Sequence, residues 1–128
     1  MMKKPAQKER RQRRATDMSN AITYQLDACA REAGLEAMLV SDENGLCLAA
    51  TGARDACEEL AAELPIIGRK TREFEGVLLA AGGGRRVTVQ RFHIGPDELY
   101  VCAVGGDQRR IPAQMARSIS GLSRILTT

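Results

Sequence analysis

The sequence is poor in aromatic residues, which make up 3% of its 128 residues and include no tryptophan. Two phenylalanines and two tyrosines are too few for a surface on which bases or sugars stack in succession. The hydrophobic core must therefore be built from aliphatic side chains and methionine. This scarcity argues against nucleic-acid recognition by an aromatic-lined sheet.

Long apolar runs and clusters of metal ligands are also lacking. No stretch of about 18 apolar residues predicts a membrane-spanning helix, and no apolar segment follows the basic N-terminus as in a signal peptide. The single histidine, His93, has no cysteine cluster beside it, and no cysteine pair has C-x-x-C spacing. We therefore expect no metal and no cofactor. We expect a cytoplasmic protein with mostly buried, reduced thiols at Cys29, Cys47, Cys57 and Cys102.

Motifs of catalysis are lacking as well. The glycines at 82–84 lead into Arg85, Arg86 and a predicted strand, whereas a phosphate-binding loop needs Gly-Lys-Ser/Thr followed by a helix. The carboxylates fall in predicted turns or on helix surfaces, and no serine or cysteine belongs to a nucleophile motif. We predict that the chain is not an enzyme and has no catalytic residues.

Basic residues are concentrated at the N-terminus. Residues 1–14 hold seven of the 19 basic residues and one of the 16 acidic residues, so the remainder is mildly acidic although the chain carries +3. We interpret residues 1–16 as a flexible basic N-terminal arm and residues 17–127 as one folded domain. The arm is the feature that favours binding to nucleic acid or to an anionic membrane, an alternative function that stays open here.

Hydrophobic periodicity predicts eight elements in the order αββαβββα. Asn44-Gly45 predicts a β-hairpin, and Pro65 predicts a kink in the second helix or two shorter helices in line. The predicted bounds are a helix at 17–33, a hairpin at 36–51, a helix from Asp55 to about Phe74, strands at 77–81, 86–94 and 99–104, and a helix at 111–126. The order predicts an α/β (α+β) fold with a five-stranded, largely antiparallel sheet and helices on both faces.

The segment at 34–49, with its Asp42-x-x-Gly45 turn between two apolar strands, resembles the opening of roadblock domains. The order of the later elements agrees, so the resemblance covers about residues 17–127. It implies the profilin-like roadblock fold, as in dynein light chain roadblock and bacterial gliding-motility GTPase-activating proteins. Pro65 and the basic arm depart from the pattern.

The resemblance implies a dimer, with the chain itself or with a paralogue, in which an edge strand and the second helix join two subunits into a ten-stranded sheet. The strand at 77–81 is short and apolar, and it lacks the charged residues that usually protect a sheet edge from pairing. The expected dimer contact consists of Val77, Leu78, Leu79, Ala80 and Ala81.

The resemblance also implies that the dimer binds and regulates a small Ras-like GTPase through the second helix, as a GTPase-activating protein or as a scaffold. Bacterial relatives of the gliding-motility type stimulate their GTPase without supplying obvious catalytic groups. The expected GTPase-facing surface consists of Arg54, Glu58, Glu59, Lys70 and Arg72. An adaptor that uses the same dimer without a GTPase partner is the second alternative.

Overall fold

The computed structural model describes the backbone of residues 3–127 and the side chains of residues 16–127. The elements are α1 (Lys3–Ala33), β1 (Ala37–Asp42), β2 (Cys47–Gly52), α2 (Arg54–Lys70), β3 (Glu73–Ala80), β4 (Gly83–Ile94), β5 (Asp97–Val104) and α3 (Ile111–Thr127). The predicted order αββαβββα is confirmed. None of the helices described is both long enough and apolar enough to cross a bilayer.

The five strands form one sheet in the order β2-β1-β5-β4-β3, and each neighbouring pair is antiparallel. Strands β2 and β3 are therefore the two edges. Helices α1 and α3 pack together over one face, and α2 covers the other. The predicted five-stranded sheet with helices on both faces is confirmed.

The core lies in two layers, one on each side of the sheet, because successive side chains of a strand point to opposite faces. Strand β5 is buried on both faces from Leu99 to Val104, as expected of a central strand. On β4, Val87 and Val89 pack under α2, whereas Phe92 packs under α1 and α3. The pairing of β4 with β5 is unbroken, so this change of face reflects burial on both sides and not a bulge.

Helix α1 begins at Lys3 and not near Asp17, so the predicted helix start is wrong. Lysine, arginine, glutamine and alanine are good helix formers, and the segment before Thr16 is rich in them. The flexibility expected of residues 1–16 stays a prediction, since the side chains of residues 1–15 lie outside the described part of the chain. Helix α1 ends as predicted before Gly34, whose φ of 64° favours glycine.

Helix α2 is a single helix that includes Pro65, so the expectation of two shorter helices is wrong, and a kink stays a prediction. Proline has a helical φ, and burial of Leu60, Ala61 and Leu64 against the sheet offsets its lost hydrogen bond. The helix ends at Lys70, four residues before the predicted end. The residues after Thr71 alternate in burial and form β3.

Strand β3 is longer than predicted and ends one residue earlier. Ala81 and Gly82, with φ of 51° and 77°, form a two-residue turn in which both residues have positive φ, as in type I′ hairpins. Gly83 and Gly84 already belong to β4, so the predicted turn at 82–84 is misplaced. The backbone N–H of Ala81 donates to Glu59 Oε2 at 2.6 Å, which ties the turn to α2 and partly offsets the strain of a non-glycine residue in this conformation.

Candidate interaction surface

Strand β3 has a neighbour on one side only. The N–H of Arg91 donates to the carbonyl of Arg72 at 3.0 Å, and the same pairing continues to Ala80 and Gly83 beside the turn. Hydrogen-bonded pairs alternate along an antiparallel ladder. The even-numbered residues of β3 therefore bond to β4, and the odd-numbered residues direct their N–H and C=O groups to the open edge.

The open edge is divided into an acidic half and an apolar half. Glu73 and Glu75 occupy the first half, and the carbonyl of Glu73 already accepts a hydrogen bond from Thr71 Oγ1 at 2.7 Å. Val77 and Leu79 occupy the second half, with 67% and 75% of their side chains exposed. The apolar half is thus free to pair, and it carries two of the three most exposed large apolar side chains among the described residues.

Val77 and Leu79 lie on the face of the sheet opposite α2, because their partners on β4 are Arg86 and Gly84 and not the valines under α2. Helices α1 and α3 lie over β1, β2, β5 and the later part of β4 on this face. An open groove of about 470 Å³ lies between the acidic half of β3, at Glu73 to Glu75, and the start of α3 at Pro112. Because the side chains of Val77 and Leu79 are themselves exposed, the apolar half of β3 is accessible to a partner on this face.

On the α2 face of β3, Leu78 and Phe74 are half-buried against the core and Ala80 is buried. A Cβ at Gly76 would lie 2.7 Å from Cζ of the Phe74 ring. Glycine at this position therefore leaves room for the Phe74 ring to lie over the strand.

One side of α2 runs beside β3. Glu59, Glu63, Ile66 and Lys70 are spaced at i, i+4, i+7 and i+11, so they share one side of the helix. We refer to these four residues as the α2 stripe. The bond from the Ala81 N–H to Glu59 places the stripe on the β3 side. Ile66 is 61% exposed and was not predicted as a site residue, although its spacing of seven from Glu59 was visible in the sequence.

The five residues expected to face a GTPase do not form one patch. Arg54 and Glu58 pair with each other at 3.5 Å at the start of α2, on the side away from the α2 stripe. Lys70 lies about 24 Å further along the helix, at 1.5 Å per residue. Glu59 and Lys70 belong to the stripe beside β3, and Arg72 is exposed in the connection from α2 to β3. The structure brings Glu59, Lys70 and Arg72 towards the β3 edge and leaves Arg54 and Glu58 apart.

The C-terminal end of α2 is fixed against the sheet by a close contact. A Cβ at Gly68 would lie 2.2 Å from Cε1 of Tyr100, whose side chain is fully buried. Arg91 Nη1 also donates to the carbonyl of Gly68 at 3.3 Å. These two contacts hold the last turn of α2, and with it Lys70, at a defined position beside β3.

A group of polar side chains supports that contact. The Tyr100 hydroxyl donates a hydrogen bond to Glu98, and Arg91 and His93 lie 3.7 Å and 3.4 Å from the same carboxylate. The hydrogen bond from Tyr100, together with the charges of Arg91 and His93, lowers the pKa of Glu98. Burial and the bond to Glu98 raise the pKa of Tyr100 to about 12. His93 thus lies beside a carboxylate that has a structural role.

The cysteines have the environment expected of structural thiols. Cys29, Cys57 and Cys102 are buried and free, as predicted, whereas Cys47 is only partly buried. Burial raises the pKa of Cys57 to about 11 and raises that of Cys102 further. Within the described residues, no three His, Cys, Asp or Glu side chains are grouped so that they could hold a metal ion.

No known protein family and no curated protein matches the sequence. Among solved structures, MglB of Myxococcus xanthus superposes with a TM-score of 0.60 at 10% identity, over 84% of this chain and 89% of that chain. A gliding protein, MglB from Thermus thermophilus, gives 0.62 at 21% identity, over 84% of this chain and 90% of that chain. A structure described as MglB with a tetrameric arrangement gives 0.62 at 21% identity, over 84% and 89%. The chain therefore has the roadblock fold, as the sequence resemblance predicted.

Proposed function

We propose that this protein is a dimeric, non-catalytic interaction module that binds and regulates a small Ras-like GTPase. One observation carries the proposal: the edge of β3 combines unpaired backbone groups with the exposed side chains of Val77 and Leu79. Proteins that remain monomeric usually protect such an edge with charges, proline or a covering element. Only the first half of β3 has charges of this kind, at Glu73 and Glu75.

A second copy of the chain can supply the hydrogen-bond partners and the apolar surface that the β3 edge lacks. An added strand satisfies the outward N–H and C=O groups and covers apolar side chains that are otherwise in water. The α2 stripe beside the edge extends the contact beyond a single strand pair. Its Ile66 adds apolar area, and its glutamates and Lys70 allow contacts between subunits.

The choice of a GTPase as the partner is supported by the fold. The similar structures include a gliding protein, and the roadblock resemblance implies that such dimers bind small Ras-like GTPases. Regulation without catalytic groups agrees with a surface that presents charged side chains such as Arg54 and Glu58, which lie on the side of α2 away from the dimer contact. The proposed action is to favour one nucleotide-bound conformation of the GTPase by binding it more tightly.

The test uses a Ras-like GTPase from the same organism, immobilised with either GDP or a GTP analogue bound. We expect the full chain to bind one nucleotide state at least tenfold more tightly. Leu79→Lys, which puts a charge on the open edge, should weaken self-association and GTPase binding together. Glu75→Lys is the matched control, because it places the same charge on the same strand in the half that is already charged.

The adaptor alternative uses the same dimer and gives a different result in this assay. An adaptor would remain dimeric and would not distinguish the two nucleotide states of the GTPase. Equal binding of both states, or no binding, in a protein that is dimeric would therefore reject the GTPase part of the proposal and favour the adaptor.

A further inference from the structure

We infer that β3 pairs with β3 of a second copy in one register, with Leu78 on the two-fold axis and with Glu59 of each α2 facing the partner's Lys70. The inference rests on the dimer of the proposed function and specifies its contact residue by residue. It follows from three properties of the described residues: the direction of the backbone groups, the position of the apolar side chains, and the order of charges on α2.

The backbone limits the possible registers. In a two-fold antiparallel pair, a residue with outward N–H and C=O groups must oppose another such residue. The outward residues of β3 between Glu73 and the turn are Glu75, Val77 and Leu79. Val77 can therefore oppose the partner's Glu75, Val77 or Leu79. If Leu79 opposes itself, Val77 meets the partner's Ala81, which already lies in the turn.

Only one of these registers brings the exposed apolar side chains together. When Val77 opposes the partner's Leu79, the contact repeats across the axis and joins four apolar side chains on the face opposite α2. When Val77 opposes itself, each Leu79 lies against the partner's Glu75, and when Val77 opposes the partner's Glu75, each Leu79 lies against the partner's Glu73. Both registers place carboxylates beside exposed apolar side chains. When Leu79 opposes itself, Val77 must pair with Ala81, whose φ is 51° and whose N–H is already bonded to Glu59, whereas the chosen register reaches Ala81 only at Glu75, after both Val77–Leu79 pairs have formed.

The chosen register also suits the α2 face of the strand. Leu78 then faces the partner's Leu78 across the axis, and Gly76 faces the partner's Ala80. Both members of the second pair are small, and small residues leave room for the two α2 helices to approach each other above the strands. The half-buried Phe74 ring lies over Gly76 and adds apolar surface beside that pair.

The charges at the two ends of the α2 stripe are complementary in a reversed copy of the helix. Read in opposite directions, Glu59 meets the partner's Lys70, whereas Glu63 meets the partner's Ile66 and adds no ion pair. The midpoint of this arrangement lies about 8 Å along the helix from Glu59, at 1.5 Å per residue. Each dimer thus contains two Glu59–Lys70 ion pairs, and no position on the stripe faces a like charge.

Distances along the strand and the helix exclude Val77 as the position of the axis and fit Leu78 or Leu79, which lies about 7 Å from Ala81. Glu59 is bonded to Ala81, so both elements can be measured from one point. Leu78 lies about 10 Å from Ala81 along β3, at roughly 3.3 Å per residue, which agrees to about 2 Å with the midpoint on α2. If Val77 lay on the axis, the axis would be about 13 Å from Ala81 along β3, well beyond the midpoint on α2. Glu59 would then no longer lie opposite the partner's Lys70.

Cysteine cross-linking tests the register directly. In the inferred dimer Leu78 and its copy form a non-hydrogen-bonded pair, with Cα atoms about 4.5 Å apart, which is within the roughly 4.4–6.8 Å that a disulfide spans. Leu78→Cys is made in a chain with Cys47→Ser and treated with oxidised glutathione. The two thiols lose two protons and two electrons to the glutathione disulfide. Val77→Cys is the matched control, because its copy lies diagonally at about 7–8 Å.

We expect Leu78→Cys to give at least ten times more covalent dimer than Val77→Cys on a non-reducing gel. Stronger cross-linking of Val77→Cys would overturn the register in favour of Val77 on the axis. No cross-linking of Leu78→Cys in a protein that light scattering shows to be dimeric would also overturn the register, while the dimer of the proposed function would stand. A protein that is monomeric throughout would reject both.

Charge reversal tests the contact between the helices. Lys70→Glu should raise the dimer dissociation constant about three- to tenfold, since it replaces two exposed ion pairs by repulsion. Adding Glu59→Lys should restore the dimer even though it removes the bond to Ala81. Arg69→Glu is the matched control on another side of α2 and should leave the dissociation constant unchanged. A double variant weaker than Lys70→Glu alone would overturn the ion pair.

Discussion

Gly68 offers a sharp test of how α2 is held on the sheet. Replacing it with alanine adds one methyl group, and the Cβ would lie 2.2 Å and 2.4 Å from two carbons of the Tyr100 ring. The ring cannot move aside easily, because Tyr100 is fully buried and its hydroxyl is bonded to Glu98. We therefore expect Gly68→Ala to push the last turn of α2 away from the sheet.

Two opposing effects decide the size of this change. Alanine is favoured over glycine inside a helix by roughly 1 kcal/mol. Overpacking of a well-packed site costs about 1–3 kcal/mol, and a contact with a fixed ring belongs in the upper half of that range. The free energy of unfolding should thus fall by about 1–2 kcal/mol, which corresponds to a fall in Tm of roughly 4–8 °C for a chain of this size.

Gly121 in α3 provides a matched control. A Cβ there meets only the side chain of Gln25, at 2.4 Å from Cδ. That side chain is flexible and can turn away at the loss of its hydrogen bonds to the Arg117 carbonyl and to Cys29 Sγ. Gly121→Ala should therefore change the free energy of unfolding by less than about 0.5 kcal/mol, since the helix propensity gained offsets the bond to the carbonyl and the weak bond to sulfur.

Urea denaturation of the two variants and the parent chain, followed by circular dichroism, measures both changes. A Gly68→Ala variant as stable as the parent chain, or more stable, would refute the proposed clash, because helix propensity alone would then account for the change in the free energy of unfolding. Equal losses in both variants would also refute it, because the distinction between a buried ring and a flexible side chain would have no effect.

Three further predictions concern two side chains and the N-terminal arm. Among the described side chains, the hydroxyl oxygen of Ser41 is buried without a hydrogen-bond partner. Ser41→Ala removes this unpaired group and should leave the free energy of unfolding, measured by urea denaturation, unchanged or raise it by up to about 1 kcal/mol. The lowered pKa of Glu98 means that its stabilisation is present above the ordinary glutamate pKa and is lost as the pH falls through the lowered value. Glu98→Gln should therefore cost about 1 kcal/mol at pH 7 and almost nothing in strong acid; a cost independent of pH would contradict this. Deleting residues 1–14 should abolish any salt-sensitive binding to nucleic acid or anionic vesicles and leave dimer formation intact; binding that survives the deletion would exclude the arm as its cause.

The sequence was sufficient for the order of the elements, because each element carries its own local signal. Asn44-Gly45 predicted the first hairpin, and the structure shows Gly45 at a φ of 80° with Asp42 accepting bonds from the backbone of Asn44 and Leu46. The change of face in β4, from its valines to Phe92 and Ile94, was also visible, although the sequence indicated either a bulge or burial on both faces. These features depend on neighbours along the chain and on side-chain period alone.

The sequence was insufficient where the outcome depends on distant residues. Residues 73–76 contain two glutamates and a glycine, which gave no strand signal, and their pairing with β4 determines that β3 begins at Glu73. The position of the β3–β4 turn likewise depends on the bond from Ala81 to Glu59, 22 residues away in the chain.

The candidate site was predicted in part for the same reason. Val77 and Leu79 could be predicted because apolar residues on an edge strand without protecting charges favour pairing with another strand. The helical spacing could have separated Arg54 and Glu58 from Glu59 and Lys70. Which of the two groups lies beside β3, however, depends on how α2 is placed over the sheet. Ile66 was missed because its exposure follows from the same placement.

The central claim is that this chain forms a dimer through β3, and light scattering coupled to size exclusion tests it most directly. The chain has a mass of 13.9 kDa, and we predict a species of twice that mass for the parent chain, with a shift towards the single mass for Leu79→Lys. A parent chain that elutes at the single mass at every concentration, or a Leu79→Lys variant as fully dimeric as the parent, would contradict it.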